Sequence, residues 1–272
     1  MSVEHFPFGH KGSKEAREQE LTQKRTKSSV FAKTGSLGHL VSRFDWKDSP
    51  LVEGYGNISS TFAPVLPEGA QNIRDYIERT LETRKGSAVG VEFGGVGANL
   101  FSGFTPGFFK QTAGITLTDP NLKFLRKFRK QPATHQVIYG DITKDETYQS
   151  LQKLLGDQKV DLIIERMAGG LRFLPEEPFT MVKVLQTWYK LLNEGGVMFV
   201  QTPEVFDRLL VKWKEYLQNG EHSFLETQFD FTQLRKSPFN TSIFRLRKLP
   251  GAPVELPLLN PRIVRDTQKS RG

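Results

Sequence analysis

Residues 89–99 read VGVEFGGVGAN, a short apolar run that leads into a cluster of glycines. The run predicts a buried strand over Ala88–Phe93, and the glycines predict a tight turn from this strand into a helix. At the carboxyl end of a parallel strand, such a turn allows the backbone to approach a nucleotide-like ligand closely. A tight turn that binds nothing has the same pattern, so these residues alone leave both interpretations open.

Short apolar runs alternate with helical stretches from this turn onward. Five strands are predicted, over Ala88–Phe93, Ala113–Leu117, Gln136–Tyr139, Val160–Ile164 and Val197–Gln201. The stretches between them predict helices over Asn121–Lys130, Lys144–Leu155 and Pro178–Leu192. Nearly continuous apolar strands that alternate with helices are typical of a parallel sheet covered on both faces.

The pattern changes towards the end of the chain. A helix is predicted over Pro203–Leu217, and two alternating strands follow it over Ser223–Phe229 and Ser242–Leu249, with no helix between them. Two such strands indicate an antiparallel pair at one edge of the sheet. The predicted fold class is therefore α/β, a doubly wound and mostly parallel sheet with helices on both faces and a C-terminal antiparallel strand pair.

Three segments are expected along the 272 residues. Residues 1–68 are interrupted by glycines and prolines, which predicts an irregular N-terminal extension without a core of its own. The folded domain is predicted over 69–249, and it begins with a helix in which Ile73, Ile77 and Leu81 recur at four-residue spacing. Residues 250–272 are predicted to form a basic C-terminal tail.

The positive charge is concentrated near the C-terminus. The chain has a formal net charge of +8, and +7 of it falls between Phe231 and Gly272. A basic strip favours phosphate-rich partners, and it is equally typical of a solvated tail. The basic residues of this strip are Arg235, Lys236, Arg245, Arg247, Lys248, Arg262, Arg265, Lys269 and Arg271.

Composition removes several kinds of chemistry. The chain has no cysteine, which excludes disulfides, cysteine-ligated zinc, iron–sulfur clusters and a cysteine nucleophile. Its five histidines show no metal-ligand spacing, so no metal is predicted. No apolar run approaches the roughly 18 residues of a transmembrane helix, and residues 1–20 lack the apolar segment of a secretion signal. A cytoplasmic protein without a membrane partner is therefore expected.

Acidic residues follow three successive predicted strands. Glu92 precedes the glycines, Asp119 ends the second strand, and Asp141 ends the third. Because the carboxyl ends of parallel strands meet at one edge of a sheet, the three carboxylates are expected to face one crevice. Carboxylates there can accept hydrogen bonds from an ammonium group, from ribose hydroxyls and from an exocyclic amine.

At this point the sequence resembles the class I, Rossmann-like, S-adenosylmethionine-dependent methyltransferases over about 88–249. The resemblance rests on the turn Glu92–Gly97, on Asp119, on the step Gly140–Ile142, on the strand Val160–Glu165 and on Leu191–Met198, where a Gly-Gly turn enters the fifth strand. It implies a methyltransferase that uses S-adenosyl-L-methionine as its cofactor.

The resemblance also implies roles for single residues. Asp119 would bind the ribose hydroxyls and Asp141 would accept from the adenine amine, with Pro120 and Ile142 packed on the ring. The methionyl end of the cofactor would lie against the first turn, at Glu92, Gly94, Gly95 and Gly97.

Two departures from the family pattern keep other functions open. In the commonest form of the turn, glycines stand two, four and six residues after the acid, whereas Val96 occupies the middle position here. In addition, an aromatic and glycine-rich stretch over Phe101–Phe109 lengthens the separation between Glu92 and Asp119. A catalytically inactive binding subunit of the same fold is one alternative. An NAD(P)-binding oxidoreductase is another, although its third glycine would fall at Leu100.

The acceptor of the methyl group is undecided between a small molecule and RNA. The fourth strand ends in Glu165 and Arg166. Glu165 is a candidate base, and Arg166 is a candidate to bind an anionic acceptor. Alternatively, the two residues pair with each other or with the following helix. The basic C-terminal tail would suit a polyanion. For a small acceptor, the N-terminal extension, with Trp46, Tyr55 and Phe62, would fold over the crevice as a lid.

Overall fold

The structure is a computed structural model, and it describes residues 55–116, 133–165, 171, 178–203, 206–220, 222–231 and 241–257. These residues all belong to one compact unit, Trp46–Gly272. Its helices are α1 (Tyr55–Phe62), α2 (Ile73–Thr80), α3 (Ala98–Phe101), α4 (Asp145–Leu155), α5 (Pro178–Leu191) and α6 (Asp207–Asn219). Its strands are β1 (Ala88–Phe93), β2 (Phe109–Thr116), β3 (His135–Tyr139), β4 (Val160–Glu165), β5 (Leu192–Pro203), β6 (Leu225–Asp230) and β7 (Thr241–Lys248).

The seven strands form a single sheet in the order β3-β2-β1-β4-β5-β7-β6. Strands β1 to β5 are parallel, and β7 runs antiparallel to both of its neighbours, β5 and β6. Every residue of β1 and β4 is buried, as expected for central strands covered on both faces. The predicted fold class is confirmed. The position of β7 between β5 and β6 is a long-range pairing that local sequence patterns do not encode.

Helices cover the sheet on both faces. One core cluster joins Phe93 and Phe244 of the sheet to Leu151, Trp188 and Trp213 of α4, α5 and α6. Phe93 stacks on Trp188 with ring centroids 4.5 Å apart. A second cluster on the opposite face contains buried residues of α1, α2 and α3. The doubly wound arrangement therefore buries apolar side chains on each side of β1 and β4.

The N-terminal boundary of the folded domain differs from the prediction. Residues 55–68 were expected to be irregular, but α1 is helical, and Ile58, Phe62 and Val65 are buried in the second cluster. Their spacing of four and three residues gives the segment one apolar face, which packs on the sheet. Phe62 lies against Phe199 of β5, with ring centroids 5.4 Å apart. Phe62 is thus a core residue and not part of a lid.

A buried arginine attaches this N-terminal segment to the sheet. Arg245 of β7 is 3% exposed, its Nε donates to the carbonyl oxygen of Val65 at 2.8 Å, and a guanidinium nitrogen donates to the Tyr76 hydroxyl at 2.6 Å. The same guanidinium forms an ion pair with Glu226 of β6. The segment before β1 is therefore held by specific polar contacts as well as by apolar packing.

Part of the basic strip near the C-terminus lies in the sheet. Arg245, Arg247 and Lys248 belong to β7, in agreement with the strand predicted over Ser242–Leu249. The Lys248 ammonium lies 4.4 Å from the centroid of the Tyr189 ring, and burial, with the nearby Lys159, lowers the pKa of Lys248. Six other basic residues of the strip lie outside the described residues: Arg235, Lys236, Arg262, Arg265, Lys269 and Arg271.

The first residues of the predicted tail pack on the helical layer. Leu256 is buried in the first core cluster, and its backbone N–H donates to the side chain of Gln186 in α5 at 3.1 Å. The indole nitrogen of Trp213 donates to the carbonyl oxygen of Pro257 at 2.8 Å. The folded part therefore extends at least to residue 257, eight residues beyond the predicted end at 249. Within the described ranges, no helix combines the length and apolarity needed to cross a membrane.

Candidate functional site

The glycine-rich turn after β1 closes around the side chain of Glu92. This carboxylate is fully buried, and its Oε2 accepts from the backbone N–H of Gly97 at 2.6 Å. A Cβ atom at Gly95 would lie 2.4 Å from Glu92 Oε1, so a side chain there would displace the buried carboxylate. Gly94 and Gly97 have φ of +84° and +77°, a region that other residues rarely adopt. The glycines thus allow the turn to wrap a carboxylate of its own strand.

The turn also lies directly on β2. A Cβ atom at Gly114 would be 2.2 Å from the carbonyl carbon and oxygen of Val96, so the close approach depends on glycine at this position too. The backbone N–H of Gly94 donates to the carbonyl oxygen of Ile115 at 2.8 Å. These contacts fix the height of the turn above the sheet.

His135, at the start of β3, holds the same turn from the other side. Its Nε2 lies 2.9 Å from the carbonyl oxygen of Val96, and its Nδ1 lies 2.8 Å from the hydroxyl oxygen of Thr112. A carbonyl oxygen only accepts, so Nε2 carries the proton, and in the neutral ring Nδ1 accepts from Thr112. Burial lowers the pKa of His135. The sequence shows only a histidine before a short apolar run, which gives no sign of this role.

The aromatic stretch between the first two acids is part of the core. Phe101 fits a notch that Gly90 leaves in β1, where a Cβ atom would be 2.4 Å from the phenyl ring. Phe101 and Phe104 both contact Phe109, with ring centroids 5.3 and 5.1 Å apart. The loop is tied to α2, since both the N–H and the hydroxyl of Thr105 donate to Glu78. The helix between the glycine turn and this loop, α3, is four residues long.

Asp141 follows the carboxyl end of β3, as predicted, and one of its oxygens has no donor within the described ranges. Oδ1 accepts from the N–H and the hydroxyl of Thr143, at 2.9 and 2.7 Å. Asp141 is only 8% exposed and its Oδ2 is buried. No group in the described ranges donates to this oxygen. Asp161, near the amino end of β4, provides a contrast. The N–H of Val89 donates to its Oδ2 and the side-chain amide of Asn193 donates to its Oδ1. A buried carboxylate oxygen without a donor is costly, and a ligand that donates there would remove that cost.

The turn around Asp141 is held rigidly. The carbonyl oxygen of Asp141 accepts from the Thr147 hydroxyl at 2.7 Å, and that of Ile142 accepts from the Tyr148 hydroxyl at 2.6 Å. Trp188 donates in turn to the Tyr148 oxygen at 3.1 Å, and burial raises the pKa of Tyr148. Ile142 itself is a core residue of the first cluster. Asp141 is therefore presented on a fixed backbone.

Glu165, the predicted base, is fully buried at the end of β4. Its Oε1 accepts from the N–H of Leu171 at 2.8 Å and its Oε2 from the N–H of Gln201 at 3.0 Å. In the register of β1 and β4, Glu165 lies beside Phe93 and Glu92 lies beside Ile164. Successive residues of a strand point to opposite faces, so the two carboxylates lie on opposite faces of the sheet. Glu165 connects the loop after β4 to β5, an arrangement suited to positioning backbone rather than to moving a proton.

The remaining predicted site residues, Asp119, Pro120 and Arg166, lie outside the described residues. The structure thus brings the turn of Glu92 and the turn of Asp141 to the carboxyl edge of three neighbouring strands, β1, β2 and β3. In the part of the chain that is described, no group of three or more metal-binding side chains is found.

Neither a protein-family model nor a curated protein matches the sequence. Among solved structures, the chain is similar to an rRNA methylase from Streptococcus thermophilus, with 12% identity and a TM-score of 0.42 over 64% of this chain and 93% of that one. It is similar to the N-methyltransferase NodS from Bradyrhizobium japonicum, with 15% identity and a TM-score of 0.41 over 64% and 92%. It is also similar to the 23S rRNA methyltransferase ErmE, with 15% identity and a TM-score of 0.39 over 73% of this chain and 75% of that one.

The sheet itself has five parallel strands and an antiparallel β7 between β5 and β6, the doubly wound and mostly parallel arrangement predicted from the sequence.

Proposed function

We propose that the protein is an S-adenosyl-L-methionine-dependent methyltransferase whose cofactor binds along the carboxyl ends of β1, β2 and β3. The observation that carries the proposal is the buried Oδ2 of Asp141, which has no donor from the described residues. The adenine amine is a neutral donor of the kind that this oxygen lacks. Such a contact would supply the missing hydrogen bond and would select an amine over a carbonyl group at the same ring position.

The glycine turn contributes shape in this proposal. Glu92 is enclosed by the turn, and its bond to Gly97 N–H fixes the backbone that would face the methionyl end, at Gly94, Gly95 and Gly97. Asp119, which would follow β2, remains the proposed partner of the ribose hydroxyls. When bound, S-adenosylmethionine supplies an electrophilic methyl group on a sulfonium. The protein then acts mainly by holding the acceptor in line with the methyl group and excluding water.

On the acceptor side, the buried and doubly hydrogen-bonded Glu165 is proposed to hold the end of β4 against β5. Arg166 remains the proposed contact for an anionic acceptor. The acceptor is a small molecule or RNA, and the basic C-terminal tail, with Arg262, Arg265, Lys269 and Arg271, remains the proposed contact for a polyanion. The cytoplasmic location expected from the sequence also stays part of the proposal.

The proposal is tested by calorimetric titration with S-adenosylhomocysteine and with its 6-oxo analogue, S-inosylhomocysteine. The wild type is expected to prefer the amine. Asp141→Asn retains the oxygen that accepts from Thr143 and replaces Oδ2 by an N–H donor, so it should bind S-adenosylhomocysteine about tenfold to a hundredfold more weakly. It should also lose or reverse the preference for the amine, because the new donor faces the oxo group favourably.

Asp157→Asn is the matched control, since Asp157 is exposed in the loop between α4 and β4. It should bind both compounds as the wild type does. Absence of binding by the wild type at millimolar S-adenosylhomocysteine would contradict the proposal, and binding of NADH in its place would favour the oxidoreductase.

A further inference from the structure

The peptide bond between Val96 and Gly97 is held at both ends by buried side chains. Its oxygen lies 2.9 Å from His135 Nε2, and its N–H donates to Glu92 Oε2 at 2.6 Å. If this peptide turned over, its oxygen would face a carboxylate and its N–H would face the N–H of His135. Both contacts would become repulsive, so the two side chains together select one orientation of the peptide.

The local chain restricts this orientation only weakly on the glycine side. The peptide joins Val96 to Gly97, Gly95 precedes Val96, and glycine has the widest range of backbone conformations. Both positions are too crowded for a side chain. A Cβ atom at Gly95 would lie 2.4 Å from Glu92, and one at Gly97 would lie 2.8 Å from His135. The close packing that demands glycine thus also removes the steric restriction that other residues would impose. Rigidity of the turn has to come from its partners.

His135 is well placed to supply this rigidity. Thr112 donates to Nδ1, which fixes the neutral ring with its proton on Nε2. The carbonyl oxygen of Val96 and the phenyl ring of Phe101, whose centroid is 6.2 Å away, also lie beside the ring. These partners are uncharged. A single buried relay, from Thr112 through His135 to Val96, therefore connects β2 and β3 to the turn after β1.

We infer that His135 is a positioning residue for the cofactor: it fixes the Val96–Gly97 peptide so that the turn is formed before the ligand binds. The inference rests on the proposed function, because it concerns the same site. A ligand that meets a preformed turn does not have to order it, so loss of the contact should appear as weaker binding. His135 does not touch the reacting atoms in this account.

The experiment compares His135→Phe, which keeps the ring volume without a donor, with His135→Gln, whose amide N–H can replace Nε2–H. The affinity for S-adenosylhomocysteine and the hydrogen exchange of the Gly97 amide are measured for each. His135→Phe should bind about fivefold to tenfold more weakly and exchange faster at Gly97. His135→Gln should restore most of both properties, which loss of ring packing alone would not allow.

The two readouts separate the possible failures. Unchanged affinity in His135→Phe overturns the inference, whatever happens to exchange at Gly97. A wild type that protects the Gly97 amide but binds no S-adenosylhomocysteine overturns the proposed function, and the inference with it. If His135→Phe does not fold, Thr112→Val removes the other end of the relay. It should weaken binding in the same direction, and unchanged binding there would overturn the inference.

Discussion

Glu92 and His135 hold opposite ends of one peptide bond in the glycine turn. Glu92 accepts from the N–H of Gly97, and His135 lies 2.9 Å from the carbonyl oxygen of Val96. The two residues come from β1 and β3, which are separated by β2. The geometry of the turn therefore depends on the assembled sheet and not on its own sequence alone.

Gly97→Ala should be among the most damaging small substitutions in the turn. Its Cβ atom would lie 2.8 Å from His135, and the residue has φ of +77°. We expect a loss of about 2–4 kcal/mol in the free energy of unfolding, from backbone strain and overpacking together. Chemical denaturation measures this loss.

Gly107→Ala separates the two causes. Gly107 has φ of +79°, but no atom lies within 4 Å of the position of its Cβ. It should therefore lose only the backbone part, about 1–2 kcal/mol. Equal losses in the two variants would show that the close packing around Gly97 is absent.

Glu165→Gln should destabilise the protein rather than alter its chemistry. Both carboxylate oxygens accept from backbone N–H groups, so an amide would place its own N–H₂ against one of these donors. A loss of about 2–3 kcal/mol is expected. Glu255→Gln is the control, because Glu255 forms an exposed ion pair with Lys190 and should change stability by less than about 1 kcal/mol. A stable Glu165→Gln protein with no methyl transfer would instead indicate a role as a base.

The stability of the protein should depend on pH through His135. Burial lowers its pKa in the folded state below the usual value of 6.5. Between these two pKa values the unfolded chain binds a proton at this site and the folded protein does not, so stability rises with pH in that window. The wild type should lose stability as the pH falls below about 6.5.

His135→Gln removes this contribution, because glutamine does not titrate. The difference in unfolding free energy between the wild type and His135→Gln, measured from pH 7.5 to pH 5, isolates the histidine from the other titrating groups. The wild type should show the steeper fall. Parallel curves would mean that His135 titrates alike in the folded and unfolded states.

Arg245→Met tests whether the segment before β1 belongs to the folded domain. The guanidinium contacts Val65, Tyr76 and Glu226 from a buried position. Its removal should cost about 2 kcal/mol and should accelerate proteolysis within 55–68. Arg79→Met, on the exposed side of α2, is the control. Cleavage at the same rate in both variants would contradict the assignment.

The positions of the strands were predictable because burial on two faces leaves a local signal. The predicted β1, Ala88–Phe93, has the observed bounds, and the other strands differ mainly at their ends. The antiparallel pairing of β6 with β7 was predictable from their proximity in sequence, but the pairing of β7 with β5 was not, since it joins distant residues such as Met198 and Leu246. Local periodicity carries no information on such pairs.

The candidate site was predictable in its location but not in its contacts. A position after a strand is enough to place Asp141 at the carboxyl edge, and the structure confirms that position. Which oxygen of Asp141 lacks a donor among the described residues depends on where Thr143 donates, and the role of His135 depends on contacts with two other segments. Arg245 was counted with a basic strip for a similar reason, because its buried partners are far away in sequence.

Asp141 is proposed to accept from the adenine amine of S-adenosylmethionine. A crystal structure of the protein with S-adenosylhomocysteine measures the distance between Asp141 Oδ2 and the N6 amine directly. We expect a hydrogen bond of about 2.7–3.2 Å between these two atoms. Adenine bound elsewhere, with Oδ2 still lacking a donor, would contradict it.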